Sequence, residues 1–381
     1  MSAVIIFWTS IFLLAYTYVG YPMVAWLRAR LQRQRIQTAD IEPQVSILCI
    51  GHNEGARIGA RIDNLLELDY PRDRLEIVVA SDGSSDDMVE IAKHYELAGV
   101  RVLEFLTQRG KPAVLNEVIP QLRGEIAVLM DVRQHVEQQA LRALTANFAD
   151  PRTGAVSGEL YLDQGATDTE AGEGVGFYWR YEKFIRLHES KADSTVGATG
   201  ALYALRQHLF HPIPENTLLD DVLIPMYVAR RGYRVLFEPK ARAYDRVSAT
   251  AQAELTRKVR TIAGNFQLLF HERWLLNPRA NRLWFQTLSH KFCRVFGPLF
   301  LLAAFISNLF LLDQGFYRVL LLLQVLFYAA AAAGHLSRNA TGRPALMHIA
   351  YTFCLLNWAT VLGFHRFILG RQQVTWRKAQ G

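Results

Sequence analysis

Residues 45–54 read VSILCIGHNE and residues 75–86 read LEIVVASDGSSD. Each is a short run of β-branched and aliphatic residues that stops at a polar cluster, the pattern of a buried strand ending in a loop. Residues 100–105 repeat the apolar run, and residues 126–131 repeat it up to Asp131-Val132-Arg133. Amphipathic stretches fill the intervals, so the chain from residue 45 reads as an α/β domain with a mostly parallel sheet. Ligands of such sheets bind beyond the carboxyl ends of the strands. A single Asp-Gly-Ser run is ordinarily a turn or helix cap, because its side chains bond nearby amides. Three polar clusters at the ends of the first, second and fourth strands, 51–54, 81–86 and 131–133, point instead to one converging site.

The pattern loosens further along, with a strand over 155–162, an amphipathic helix over 175–189 and a short strand over 202–205. The helix carries Phe177, Tyr178, Trp179 and Tyr181. Such a stripe serves core packing or the flat apolar faces of sugars, and both readings stay open.

The two ends of the chain differ from its middle. Mean hydropathy is +0.07 and 51% of residues are hydrophobic, with the excess at the termini. Residues 3–27 hold no charge, which is enough to cross ~30 Å of hydrocarbon and too long for a signal-peptide core. Arg28, Arg30, Arg33 and Arg35 follow, so the positive-inside rule places that end in the cytoplasm. Residues 295–312 and 319–336 flank Asp313-Gln314-Gly315 and read as a helical hairpin. A fourth span over 346–369 contains Asn357, His365 and Arg366, and it sets crossing parity against the basic tail of Arg371, Arg377 and Lys378. Four spans are expected, the last one irregular.

The net charge of +7 is explained by arginines beside anionic lipid, and no nucleic-acid-binding motif accompanies it. Cys49, Cys293 and Cys354 are scattered in apolar surroundings, as buried free thiols are, and offer no zinc site.

Taken together, these residues resemble the inverting family 2 glycosyltransferases, in the membrane-bound branch that includes cellulose, chitin, poly-N-acetylglucosamine and hyaluronan synthases. The likeness runs from about residue 45 to residue 312, and the order of its motifs makes it specific. It implies a GT-A-type nucleotide-sugar-binding domain. The nucleoside would be held by Asn53 and Glu54 after the first strand and by Asp82, Gly83 and Ser84 after the second. Lys111, in a Gly-Lys stretch, would face the diphosphate. The family's Asp-x-Asp holds a divalent cation, Mg or Mn, and here reads Asp131-Val132-Arg133. Either Asp131 holds the metal, or the Arg133 guanidinium replaces part of its charge. Gly197-Ala198-Thr199-Gly200-Ala201 resembles the loop that admits the acceptor sugar, with Trp179 as an aromatic partner. Asp220-Asp221 stands for the family's Glu-Asp pair, which makes Asp221 the general base. Arg260 matches the arginine of Gln-x-x-Arg-Trp, whereas Arg257 and Thr261 replace its glutamine and tryptophan.

The implied organisation is an anchor and basic flank over 1–35, a cytoplasmic transferase domain over 36–272, an interfacial amphipathic segment over 273–294, membrane helices over 295–369 and a basic tail over 370–381. The expected activity is transfer of a sugar from a nucleotide diphosphate, UDP-linked, to a growing polysaccharide or lipid-linked acceptor with a β-linked product, in a multi-pass protein of the cell inner membrane. A single-addition enzyme and a non-catalytic nucleotide-sugar-binding subunit are the alternatives. Spans of this number form a pore alone or with a partner subunit for secretion or synthesis, and both readings stay open.

Overall fold

The computed structural model describes residues 1–163, 170–246, 251–337 and 344–375. Side chains within 163–178 and 246–254 fall outside that description, as do Phe177, Tyr178, Arg377 and Lys378 of the expectations above. Among the described residues, one sheet contains β1 Val45–Gly51, β2 Leu75–Asp82, β3 Val100–Phe105, β4 Ile126–Asp131, β5 His135–Val136, β6 Thr153–Asp163, β7 Leu202–Arg206 and β8 Arg234–Arg246. Their order across the sheet is β3-β2-β1-β4-β7-β6-β8-β5.

The first four strands pair in parallel. β7 runs antiparallel to β4 and β6, β6 and β8 run parallel, and β5 is antiparallel to β8, so the sheet as a whole is mixed. β1 reads as an unbroken apolar run because it is covered on both faces. Leu48 and Ile50 pack with Val78, Ala80, Val114 and Leu115 on one side. Ile47 and Cys49 pack with Val79, Ile58, Ile62 and Leu65 on the other. The chain leaves β1 toward β2 on one flank and returns as β4 on the other, which opens a crevice at their carboxyl ends.

The apolar ends form helices. Ser2–Leu31, Gly315–Leu336 and Leu346–Ile368 are each long and apolar enough to cross a membrane. The expected span at 295–312 is the correction. Helix Gly297–Leu309 has 13 residues, about 20 Å at 1.5 Å per residue, which is short of a bilayer core. It reaches spanning length only together with Trp284–Val295, from which it bends by 59°. Pro298 explains the break: without an N–H it suits a first helical turn and cannot continue the preceding helix. The segment expected along the bilayer surface is also divided, into Arg273–Leu276, Trp284–Gln286 and a π-helical turn Thr287–Phe292. Leu275, Leu283 and Phe292 are buried in the domain core, so part of its apolar surface serves the domain itself.

Candidate active site

Five charged side chains from four elements meet beyond the crevice. Lys111 opens the helix Lys111–Val118, and its Nζ donates to Asp131 Oδ1 at 2.8 Å, at the end of β4. The same ammonium lies 3.5 Å from Asp220 Oδ2. Burial, the largest single influence on Lys111, favours the neutral amine, but Asp131 and then Asp220 outweigh it and hold the ammonium well above the usual lysine range. Asp220 and Asp221 begin the helix Asp220–Arg230, whose N-cap is Leu219; Asp220 is therefore a helical residue and not the cap. Asp221 is half-buried, and its carboxyl is pushed up to about 6, first by burial and then by the charge of Asp220. Lys111, Arg186 and Lys291 pull the other way. Arg260, on the helix Ala251–His271, is drawn below the usual arginine range by burial, while Asp220, Asp131 and Asp221 oppose the shift. Beneath them the hydroxyl of Tyr203 on β7 is buried and makes no hydrogen bond among the described residues.

The loop 197–201 is bound to the start of the Asp221 helix by a proline. Pro225 lies inside that helix and has no N–H for the carbonyl four residues back, which belongs to Asp221. That carbonyl accepts instead from Ala198 N at 2.7 Å. Gly200 N donates to Asp221 Oδ2 at 3.0 Å. A Cβ on Gly200 would sit 3.4 Å from Asp221 Oδ2 and 3.8 Å from Asp131 Oδ2, so this glycine leaves open the space between the two carboxylates. Gly197, at φ 83°, packs a bare Cα against Val222. Ala201 is buried in the core. Trp179 lies across a narrow crevice with Lys183, Arg186 and Thr199, and the Lys258 ammonium stands 5.7 Å from its ring centroid.

The residues expected to hold a nucleoside make their bonds within the chain. Asp82, fully buried, accepts at its two oxygens from Arg109 N and Gly110 N, both at 2.8 Å. Gly83, at φ 66°, is pressed by the same loop: a Cβ there would lie 2.3 Å from Gln108 N. The chain's own backbone thus requires a glycine at this position. Asn53 occupies φ 55°, a region asparagine tolerates. Its Oδ1 accepts from Ser85 N at 2.7 Å, while its own N–H donates to Ser84 Oγ at 3.0 Å. Glu54 pairs with Arg57 at 2.7 Å on the surface. Asn53, Ser84 and Asp82 thus tie the loops after β1, β2 and β3 into one platform, and that platform presents Lys111.

Arg133 pairs with a carboxylate outside the Lys111 cluster. Its Nη2 lies 2.6 Å from Asp245 Oδ2 on β8. The pairing follows from register: β5 begins two residues after Arg133, and His135 sits opposite Tyr244. Sequence reasoning passed over Asp245, which lies among basic residues in the strand segment KARAYDR and so does not stand out. It also passed over Val374, whose carbonyl accepts from Arg260 Nη2 at 3.2 Å and whose side chain lies against Gly110. The helix Ala345–Ile368 delivers Val374 by packing on the arginine's helix, with Phe364 against Phe266 at 5.0 Å. A larger cavity of about 290 Å³ lies at the opposite end of the sheet, lined by Glu42, Arg74, Glu125 and Arg206, remote from these carboxylates.

Fold and charge arrangement define the class first: an α/β domain with cations and carboxylates gathered where a parallel sheet binds its ligand. Residues 43–264 match the family described as glycosyltransferase-like family 2, and the chain belongs to that family of glycosyltransferases. It is similar to the probable glycosyltransferase YdaM of Bacillus subtilis strain 168, at 22% identity over 375 residues, covering 89% of this chain and 87% of that one. It is 32% identical over 154 residues to the beta-monoglucosyldiacylglycerol synthase of Trichormus variabilis, covering 39% of this chain and 33% of the relative. The poly-beta-1,6-N-acetyl-D-glucosamine synthase of Staphylococcus aureus strain COL is 24% identical over 233 residues, covering 60% of this chain and 56% of the synthase. The chain thus spans most of the Bacillus protein but a third to about half of the other two. Among solved structures, the mannosyltransferase PcManGT of Pyrobaculum calidifontis, in complex with GDP-Man and Mn2+, superposes with a TM-score of 0.70 at 20% identity over 96% of this chain and 99% of that one, which shows the GT-A-like fold.

Proposed function

We propose that the chain is an inverting transferase of the membrane-bound branch, held in the cell inner membrane with its catalytic domain in the cytoplasm. It moves a sugar from a UDP-linked donor to a saccharide or lipid-linked acceptor. The observation that carries this reading is Asp221: a half-buried carboxylate pushed up to about 6, hydrogen-bonded to Gly200 N at 3.0 Å, in a cluster with the buried Lys111 and the half-buried Arg260. The acceptor hydroxyl oxygen bonds to the anomeric carbon of the donor as its proton passes to Asp221. The carbon–oxygen bond to the diphosphate breaks on the opposite face, and its electron pair leaves with the nucleotide. An α-linked donor then gives a β-linked product. Lys111 and Arg260 take up the negative charge that develops on the diphosphate. Asp82 is a positioning residue, holding the loop 107–110 that sets Lys111 in place.

Two of the relatives make a glucosyl glycolipid and a β-linked polysaccharide by name, and both acceptor classes suit a site bordered by Val374, which follows the apolar helix Ala345–Ile368. Single addition is favoured by Thr261. Where the synthases carry a tryptophan, its Oγ1 donates to Arg257 O at 3.1 Å in its own helix, and this position offers no ring to stack on a growing chain. The test incubates purified full-length protein with labelled nucleotide sugars and a panel of lipid and saccharide acceptors. One discrete product marks single addition, and a ladder marks polymerisation. Equal turnover by the wild type and Asp221→Asn on every donor sinks the assignment of the base.

A further inference from the structure

The family resemblance implies a divalent cation held by Asp-x-Asp at the end of β4 and bridging the donor's diphosphate. The residues of this chain do not fit that ion. The second acidic position is Arg133, and its guanidinium is braced at 2.6 Å by Asp245, a carboxylate only 3% exposed. Stripping the cation from a buried carboxylate is costly, so Arg133 is not readily moved aside. The first position, Asp131, already has a cation: Lys111 Nζ lies 2.8 Å from its Oδ1. Asp220 Oδ2 is buried without a hydrogen bond and has that same ammonium 3.5 Å away. Among the described residues, no group of three or more His, Cys, Asp or Glu is placed to hold a metal. Arginine in place of aspartate also changes the local charge from negative to positive, a difference equal to the charge of a divalent ion.

We propose that this transferase neutralises the donor's diphosphate with its own fixed cations, Lys111, Arg260 and Arg133, and turns over without a divalent metal. The inference rests on the transferase reading given above. Lys111 and Arg260 meet the diphosphate from within the carboxylate cluster. Arg133 is 39% exposed, and its nearest approach to Asp245 is through Nη2. A guanidinium has five N–H donors in a planar fork, so the others are left to meet a phosphate oxygen while Asp245 fixes the angle of approach.

The experiment measures UDP and GDP binding by calorimetry, and donor turnover, on the purified full-length protein in EDTA and again with added Mn2+. Wild-type affinity and turnover are expected to differ between the two conditions by less than about threefold, under 1 kcal/mol. Arg133→Asp rebuilds Asp-x-Asp beside Asp245. Its turnover is expected to fall by about tenfold or more in EDTA and to recover with Mn2+, a reversal of about 1.4 kcal/mol. Arg133→Gln removes the charge without offering a ligand, and its loss is expected to be equal with and without Mn2+. The proposal is overturned if Mn2+ raises wild-type affinity or turnover by about tenfold or more over EDTA, or if Mn2+ rescues Arg133→Gln as well as Arg133→Asp. A protein that binds neither nucleotide and turns over no donor overturns the transferase reading itself, and this inference with it.

Discussion

Two clusters of buried charge adjoin in this molecule and differ in how they are closed. In one, His290 is fully buried in the π-helical turn Thr287–Phe292, with Nδ1 3.0 Å from Glu189 Oε1 and Nε2 3.1 Å from Glu182 Oε1. Both ring nitrogens thus face carboxylates, and the ring is enclosed between the two. Tyr21 of the N-terminal helix and Thr195 also donate to Glu189, while Arg294 and Arg186 donate to Glu182. Burial alone would raise both carboxyls, but His290 leads the charges that hold them below the usual range, and in Glu182 far below it. In the other cluster, Asp131 is 36% exposed, Asp220 Oδ2 and Tyr203 Oη have no hydrogen bond among the described residues, and Asp221 is pushed up instead of down. A closed cluster ties the N-terminal helix and the segment before Gly297 to the domain. An open one keeps unspent charge for a ligand. Arg186 belongs to both, bonding Glu182 at 3.2 Å while its charge reaches Asp221.

The comparison breaks hardest at Asp221. Asp221→Asn is expected to lower turnover about a thousandfold, the usual scale for losing a general base, with UDP binding and the fold intact. Rate and calorimetric titration of the same preparation check it. A variant that lost nucleotide binding in proportion to rate would place Asp221 on the donor and not on the acceptor proton. At the closed cluster the expectation is reversed. His290→Leu leaves Glu189 without its imidazole partner and should cost about 3 kcal/mol of stability, while the molecules that remain folded turn over normally. Thermal unfolding in detergent, set beside activity per folded molecule, separates the two effects.

A smaller effect tests the opening itself. Gly200→Ala places a methyl 3.4 Å from Asp221 Oδ2 and 3.8 Å from Asp131 Oδ2, contacts the backbone accepts without strain. The methyl occupies the space between the carboxylates, so turnover is expected to fall roughly tenfold as the reacting groups are displaced, with no change in the unfolding midpoint. Unchanged turnover would show that the acceptor does not pass between Asp131 and Asp221.

How much of this was legible beforehand follows from the range of each interaction. β1, β2 and β4 announce themselves because strands buried on both faces are near-continuous apolar runs, and their ends carry the polar residues. Asp131, Lys111 and Asp221 were found through motif order, and the structure brings all three together. What stayed hidden was pairing between distant parts of the chain. Nothing near Arg133 indicates that it faces Asp245, and nothing near Arg260 points to Val374. Asp82 was assigned to a nucleoside because local pattern cannot show that the amides of Arg109 and Gly110 come within 2.8 Å of it. The break before Gly297 was legible, since Pro298 stands in the sequence, but hydropathy averages across it.

The smallest effect concerns stability and follows from the sign of the Asp221 shift. The folded carboxyl titrates at about 6, above the ordinary value near 4 that it has in the unfolded chain. The folded state therefore binds that proton more tightly, so between those two pH values Asp221 costs more stability as pH rises, and the full cost is present above about 6. Partial exposure to solvent reduces that cost to about 1 kcal/mol. Asp221→Asn should then be more stable than the wild type by that amount at pH 7.5 and no more stable at pH 4. In the wild type, kcat/KM should rise with pH up to about 6 and level off above it, as the base loses its proton. Unfolding midpoints at the two pH values, with a pH–rate profile on the same protein, make the test. An Asp221→Asn variant less stable at pH 7.5 would move Asp221 into the closed class with Glu182 and Glu189, as a carboxylate that serves the fold.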